Sequence, residues 1–426
     1  MLNKINLQST ALLALLLIGS TLSAQHKCKS HVHRQHKINL NPSYAQKLAE
    51  KEQRFDDNFN TRAYKKQNEI ISIPVVFHVL YNKNEENISE EQIQSQLDVL
   101  NDDFRLLNNN KLPNTHPFYN LMADCEIEFC LATTDPEGNS HSGITRTYTD
   151  SAYWSGWGNE KYTSEGGHDN WDPERYLNIW VCNLDESIGT LGYATFPTEL
   201  EDYPEDDGVV IHFRCFGTTG TAGTGDFEVN AGGRTTTHEV GHWLYLEHIW
   251  GDEECGTDKV DDTPPQELDN YECPSFPQNA NNKCGSDENG EMFMNYMDYV
   301  DDNCMSMFSL GQKARMRSAI ENFRPKLINN SICNSTNVKE TLKQDNISIF
   351  PNPANSSLNI QVEGDYNLGS VRIINTTGQV VNTYSLLESG SKSYSINISD
   401  LSAGFYTLSI QTETGVLLQS FSKTTK

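Results

Sequence analysis

The chain has 426 residues, and its 58 acidic side chains against 32 lysines and arginines give a formal charge of −26. That balance argues against nucleic acid or an anionic membrane surface as a main partner. It suits solubility, calcium and cationic peptides, and the length allows two or more domains, each with its own core.

Residues Met1 to Ala24 read as a signal peptide: Lys4 starts it, Ala11 to Ile18 form its apolar stretch, and Ser20 to Ala24 a small-residue exit. The apolar stretch is too short for a stable transmembrane anchor. Cys28 follows Gln-His-Lys, which does not suit a lipoprotein site, and no other long apolar run occurs, so an exported, soluble chain is expected. Ten cysteines without a CxxC then fit disulfides in an oxidising compartment. Residues 25–68 are polar with little apolar periodicity and read as a propeptide or flexible leader rather than a packed domain.

Ile70 to Tyr81 reads as a buried strand. An amphipathic helix comes next, with a capping-box pattern at Ser89 and Gln92 and with Ile93, Leu97, Leu100, Phe104 and Leu107 on one face. Glu126 to Leu131 and Tyr176 to Val181 read as further strands, and acidic and Gly-rich loops occupy 201–208 and 217–225. The fold class expected is α+β, a mixed twisted sheet packed on helices. Beyond His248 the chain becomes loop-like, with cysteines at 255, 273, 284 and 304, until Ser309 and Gln312 open a helix that runs to Phe323 and stops before Pro325. A polar linker covers 333–345. From 346 to 426 short alternating strands predict a small β-sandwich: Ile347 to Phe350, Leu358 to Val362, Val371 to Asn375, Tyr394 to Ile398, Phe405 to Gln411 and Val416 to Phe421.

The chemistry concentrates at His238-Glu239-Val240-Gly241-His242, with His248 six residues on. Histidines four apart share one helix face and can reach one zinc ion, with the glutamate beside the water it binds. At about 100° per residue, a histidine six further on would point away, so the helix must end and the chain turn back. Three neutral imidazoles leave zinc its full charge and an open position, where water becomes acidic enough to serve as a nucleophile near neutral pH. Glu239 is then the general base that passes the proton to the leaving amine.

Asn295-Tyr296-Met297-Asp298-Tyr299, read after such a site, resembles the Met-turn and zinc-proximal tyrosine of the metzincins. With Ile73 to His78, Leu191-Gly192-Tyr193-Ala194 and Phe293 to Phe308, the stretch from Ile70 to Leu327 is similar to the pappalysin family of that clan. The resemblance implies a secreted metalloendopeptidase with zinc on His238, His242 and His248, Glu239 as base, Met297 beneath the metal and Tyr299 stabilising the oxyanion. Leu191, Gly192, Tyr193 and Ala194 would pair with extended polypeptide substrate. Asp302 would lie in the S1′ pocket and select Arg or Lys at P1′. Asp258, Val260 and Thr263 match a structural calcium loop, and the family pattern pairs Cys255 with Cys284 and Cys273 with Cys304. Cys28 is either a leader thiolate that ligates zinc and enforces latency, or half of a disulfide. Arg54 and Arg62 give a basic-specific enzyme places to remove its own leader. The family places glycine where this chain has Tyr245, a position with positive φ.

The last domain resembles the sorting domain of type IX secretion substrates, through Phe350 to Ala354, Ile374 to Gln379, Leu401 to Tyr406 and Lys423. A β-module binding substrate or carbohydrate is the plain alternative. The implied organisation is signal peptide 1–24, propeptide 25–68, catalytic domain 69–332, linker 333–345 and sorting domain 346–426. It belongs to a monomeric enzyme secreted or displayed at the cell surface, whose partners are polypeptides and the secretion machinery. A catalytically dead scaffold acting in adhesion is the competing class, and a zinc amidase acting on small or cell-wall amides a third.

Overall fold

The computed structural model describes residues 28–61, 69–328, 332–333, 347–362, 368–375, 380–385, 393–412 and 415–424. The expected signal peptide, Arg62 and nearly all of the linker lie outside these residues. The chain divides into two compact units, residues 1–333 and 334–426.

The leader corrects an expectation. Rather than a flexible segment, residues 28–61 form two helices, α1 (Ser30–Leu40) and α2 (Pro42–Thr61). Its apolar pattern is weak because α1 buries polar and charged groups, Ser30, His33, Arg34 and Lys37, against complementary groups of the unit below. Helix α2 adds only a thin apolar line of Tyr44, Leu48 and Phe55. Hydropathy alone cannot register a helix docked through ion pairs.

Strand β1 (Ile71–Tyr81) is buried along nearly its whole length, as a central parallel strand requires. Helix α3 (Glu90–Phe104) comes after it. Ser89 caps this helix by accepting the Gln92 amide, but the Gln92 side chain does not turn back to complete a box. It donates instead to the Phe213 and Phe216 carbonyls. The helix also stops before Leu107, which is exposed because the chain reverses at Leu106 with φ of 51°. Strands β2 (Ile127–Leu131), β3 (Ile144–Tyr148), β4 (Leu177–Cys182), β5 (Gly192–Ala194) and β6 (Val209–His212) complete a sheet of order β2-β1-β4-β6-β5, with β3 alongside the second half of β1. Every pairing is parallel except β5 with β6, which leaves β5 as an antiparallel edge. Helix α4 (Arg234–Trp243) packs against β5 and β6, and α5 (Leu310–Phe323) opens with a complete capping box between Ser309 and Gln312. Between them the chain is loop and turn, crosslinked by Cys255–Cys284 and Cys273–Cys304, while Cys130–Cys333 ties the end of the unit to β2.

The second unit is all β: β7 (Ile347–Phe350), β8 (Ser357–Val362), β9 (Leu368–Asn375), β10 (Val380–Ser385), β11 (Ser393–Asn397), β12 (Gly404–Thr412) and β13 (Gly415–Lys423). They form two antiparallel sheets, β10-β9-β12-β13 and β11-β8-β7, around a core that includes Leu358, Ile360, Val371, Ile373, Leu408, Ile410 and Phe421. The alternation of buried and exposed residues along β11 is what a sheet with one wet face requires.

Candidate active site

Helix α4 carries His238 and His242 on one buried face. It ends one residue after Trp243 in a paired closure: Tyr245 donates to the His242 carbonyl at 2.8 Å and Leu246 to the Gly241 carbonyl at 2.9 Å. These are the two hydrogen bonds of a Schellman motif. The turn needs a left-handed residue, and Tyr245 supplies it with φ of 78°. The reversal brings His248 back, so that His242 Nε2 lies 3.2 Å from His238 Nε2 and 3.1 Å from His248 Nε2.

Each ring is turned by a partner on its other nitrogen. His238 Nδ1 lies 2.8 Å from the Tyr296 carbonyl, His242 Nδ1 2.7 Å from the Leu246 carbonyl, and His248 Nδ1 2.6 Å from Asp252. Bonds of this kind fix the tautomer that presents a bare Nε2 lone pair. Burial and the neighbouring rings push His238 down to about 3 and His242 well below the usual histidine range, so both are neutral. Three neutral lone pairs converging at such distances repel one another unless a cation sits among them, and the donor set fits zinc. Cys28 Sγ joins the same cluster from the leader, and Cys28 is unpaired rather than disulfide-bonded.

Glu239 is buried between α4 and β5, and burial pushes its carboxyl up to about 8. Its Oε2 accepts hydrogen bonds from Ser30 Oγ at 2.9 Å and Cys28 Sγ at 3.3 Å, so the leader occupies the carboxylate. A side chain on Gly192 would meet Glu239 Cγ at 3.1 Å, which is why β5 can pass so close to this carboxylate. The leader also takes the free edge of β5: Lys29 N donates to the Gly192 carbonyl and Ala194 N donates to Ser30 Oγ. Tyr193 points the other way, into the core, and donates to Glu160.

Met297 lies beneath the histidines. A Cβ on Gly241 would stand 2.5 Å from Met297 Sδ, so this glycine makes room for the sulfur. Asn295 Oδ1 holds the Met297 amide, and Asn295 and Gln312 exchange a pair of side-chain hydrogen bonds that anchor the turn to α5. Asp103 on α3 ties the same parts together, accepting from Tyr296 Oη and Thr237 Oγ1 and pairing with Arg234. Tyr299 Oη lies 3.0 Å from His248 Nε2, and burial raises its hydroxyl well above the usual tyrosine range.

Beside Glu239 a cavity of about 430 Å³ is lined by Leu191, Thr235, His238, Tyr299, Asp302 and Met305, among others. Asp302 Oδ2 accepts the Gly232 and Arg234 amides, and burial raises the carboxyl to about 6. Among the described residues Asp302 has no direct ion pair: the Arg234 guanidinium pairs with Asp103 and donates to Asn110 and to the Asp302 carbonyl, and its charge only partly offsets the burial of the Asp302 carboxyl. Asp258, Val260 and Thr263 also converge: Thr263 Oγ1 lies 2.9 Å from Asp258 Oδ2 and 2.8 Å from the Val260 carbonyl. Sequence reasoning did not single out Asp252, Asp103 or Glu247, and gave Asn295 no role of its own. The first was within reach, as an acidic residue four positions after a candidate ligand.

A helix with two inward histidines, a third returned by a tight turn, and a methionine turn beneath them define a metallopeptidase of the metzincin class. Comparison with known proteins makes this specific. A model of the pregnancy-associated plasma protein-A peptidase family matches residues 160–321, and one of the secretion system C-terminal sorting domain matches residues 348–423. An extracellular metalloprotease of Verticillium alfalfae is 31% identical over 264 residues, covering 60% of this chain and 79% of that protein. One from Arthroderma benhamiae is 28% identical over 263 residues, covering 60% and 74%. Among solved structures, a Tannerella forsythia promirolysin mutant is 42% identical with a TM-score of 0.65, covering 72% of this chain and 98% of that one. Mirolysin in complex with a compound is 47% identical with a TM-score of 0.59, covering 63% and 99%. The chain belongs to the pregnancy-associated plasma protein-A family of metallopeptidases, the pappalysins, and ends in a secretion sorting domain. It is a secreted metalloendopeptidase made as a zymogen, and zinc is the metal that the family implies.

Proposed function

We propose that the enzyme cleaves polypeptides on the N-terminal side of arginine or lysine, with Glu239 as general base and Tyr299 as oxyanion donor. The observation that carries the specificity is Asp302, a buried carboxylate without a direct ion pair among the described residues, at the wall of the cavity beside Glu239. A guanidinium entering there meets a carboxylate oriented by two backbone amides, a charge-assisted and directional contact. Zinc, held by His238, His242 and His248, supplies Lewis acidity and lowers the pKa of water. The chain's own residues do the rest. Substrate lies extended along the free edge of β5, through Leu191, Gly192 and Ala194, while Glu239 removes a proton from the attacking water and returns it to the leaving amine. The Tyr299 hydroxyl donates to the developing oxyanion.

Latency on this reading comes from Cys28 and Ser30, which occupy the histidine cluster and Glu239 and leave no place for water. The oxygen set of Asp258, the Val260 carbonyl and Thr263 suits calcium, a structural ion. The leader is residues 25–68, the catalytic domain 69–332 and the sorting domain 346–426, with export beginning at a cleaved signal peptide.

Profiling a peptide library with the leader-free enzyme tests the specificity. Arg and Lys should dominate immediately after the cut, and Asp302→Asn should lower kcat/KM on those peptides by about tenfold or more while sparing neutral ones. Absence of basic enrichment in the wild type sinks the reading. Loss of all cleavage in Glu239→Ala, and in wild type treated with a chelator, separates the enzyme from an adhesive scaffold.

A further inference from the structure

The leader is held by cationic side chains; Arg34 pairs with Glu52 of the leader itself at 2.7 Å, and the other groups that hold these cations belong to the unit beneath and remain after the leader has gone. Glu247 is buried with 6% exposure, and its ion pairs among the described residues are only with the leader, His31 at 2.9 Å and Arg34 at 3.5 Å. The Arg34 guanidinium lies 3.7 Å above the Phe196 ring, and Phe196 in turn stands 5.3 Å from the His242 ring. One turn along α1, Lys37 pairs with Glu199 at 3.0 Å and Asp206 at 2.7 Å. A carboxylate and an aromatic face, side by side and already holding a guanidinium, make a built cation site rather than a random acidic patch.

Its place relative to the reaction is set by β5. That strand enters from Leu191, which lines the cavity of Asp302, and leaves toward Phe196, beyond Ala194. The Asp302 cavity and the Arg34 site therefore lie toward opposite ends of β5. If Asp302 receives the residue after the scissile bond, residues before that bond run toward Phe196. Losing the leader would remove His31 and Arg34 from the Glu247 carboxylate, leaving only the more distant charge of Arg315 on α5, and a substrate cation beside the cleft is a group that restores the lost pairs.

We propose that Glu247 and Phe196, vacated by Arg34, form a second specificity subsite that takes an arginine or lysine side chain N-terminal to the scissile bond. The leader thus occupies with its own basic residues a site that substrates later use. The placement before the bond rests on the proposed role of Asp302 as the pocket for the residue after it.

The test uses leader-free enzyme and peptides that all keep arginine after the scissile bond, while arginine or its neutral isostere citrulline is scanned through the preceding positions. At one position citrulline should lower kcat/KM by about tenfold or more. Glu247→Gln should collapse that arginine-to-citrulline ratio toward one, and Phe196→Leu should reduce it while keeping the apolar wall. Glu247 adjoins His248, so a merely structural effect would lower cleavage of both peptides alike. An unchanged ratio in Glu247→Gln, or equal rates for both peptides at every position in the wild type, overturns the proposal. Asp302→Asn acts on selection after the bond and should leave the Glu247 ratio intact, so failure of one reading is visible apart from failure of the other.

Discussion

Tyr245 sets two residue-scale effects against each other. Its left-handed backbone costs a bulky side chain about 1–2 kcal/mol, and a glycine there would relieve it. Yet the ring is fully buried, edge-on to Phe55 at 4.8 Å and Phe323 at 5.6 Å, with the Arg315 guanidinium 4.5 Å above it. Deleting a buried aromatic costs about 3–5 kcal/mol, so burial wins. Tyr245→Gly should lower the stability of the intact chain by about 2 kcal/mol in denaturant unfolding; a gain in stability would show that strain dominates. Asp258 gives a second residue-scale test. Burial pushes its carboxyl up to about 7 although Thr263 and the Val260 amide donate to it and the Arg315 charge acts the other way, so burial outweighs these partners. Calcium at about a hundred times its Kd should stabilise the folded chain by about 2.7 kcal/mol, read as a higher Tm than in chelator. Asp258→Asn should abolish that difference, and a wild-type Tm indifferent to calcium refutes the site.

At the scale of elements, the sequence was most legible where the signal is local. The zinc helix, its end, and the return of His248 can be read from spacing within eleven residues, and the capping box at Ser309 marks α5 to the residue. Legibility failed where partners are distant or the element shows no alternation. Tyr296 reaches Asp103 across 193 positions, a pairing that no local pattern announces. Strand β6 was missed because all four of its residues are buried, which leaves no alternation to read. The leader helices were missed because α1 is docked by charge. The leader is docked by more than one thiol, since Cys28, Ser30, Arg34 and Lys37 all engage the unit beneath. Cys28 nevertheless reaches the histidine cluster, and removing a ligand from a metal exposes the position to water. Freshly purified intact Cys28→Ala chain should therefore show at least about tenfold more peptidase activity than the wild-type zymogen. Equal latency would assign the block to the ion pairs and Ser30 alone.

At the scale of the whole molecule, chemistry and address are separate. The first unit contains every residue assigned to catalysis, and it closes on itself through Cys130–Cys333, whose crosslink falls at the last residue before the second unit begins. The second unit has its own apolar core and no histidine or cysteine. Its match to a sorting domain gives it a role in export, and among the described residues no helix is long and apolar enough to cross a membrane and hold the chain back. Two compact units with separate cores fold and function independently by default. A chain ending at Cys333 should accordingly keep the kcat/KM of the full-length enzyme on a short basic peptide after leader removal. In the native host it should accumulate inside the cells instead of reaching the surface or medium. Fractionation and then a peptidase assay on each fraction measure both at once. Release of the shortened chain into the medium would refute the sorting role, and loss of peptide cleavage by the purified shortened chain would show that the second unit supports the fold of the first.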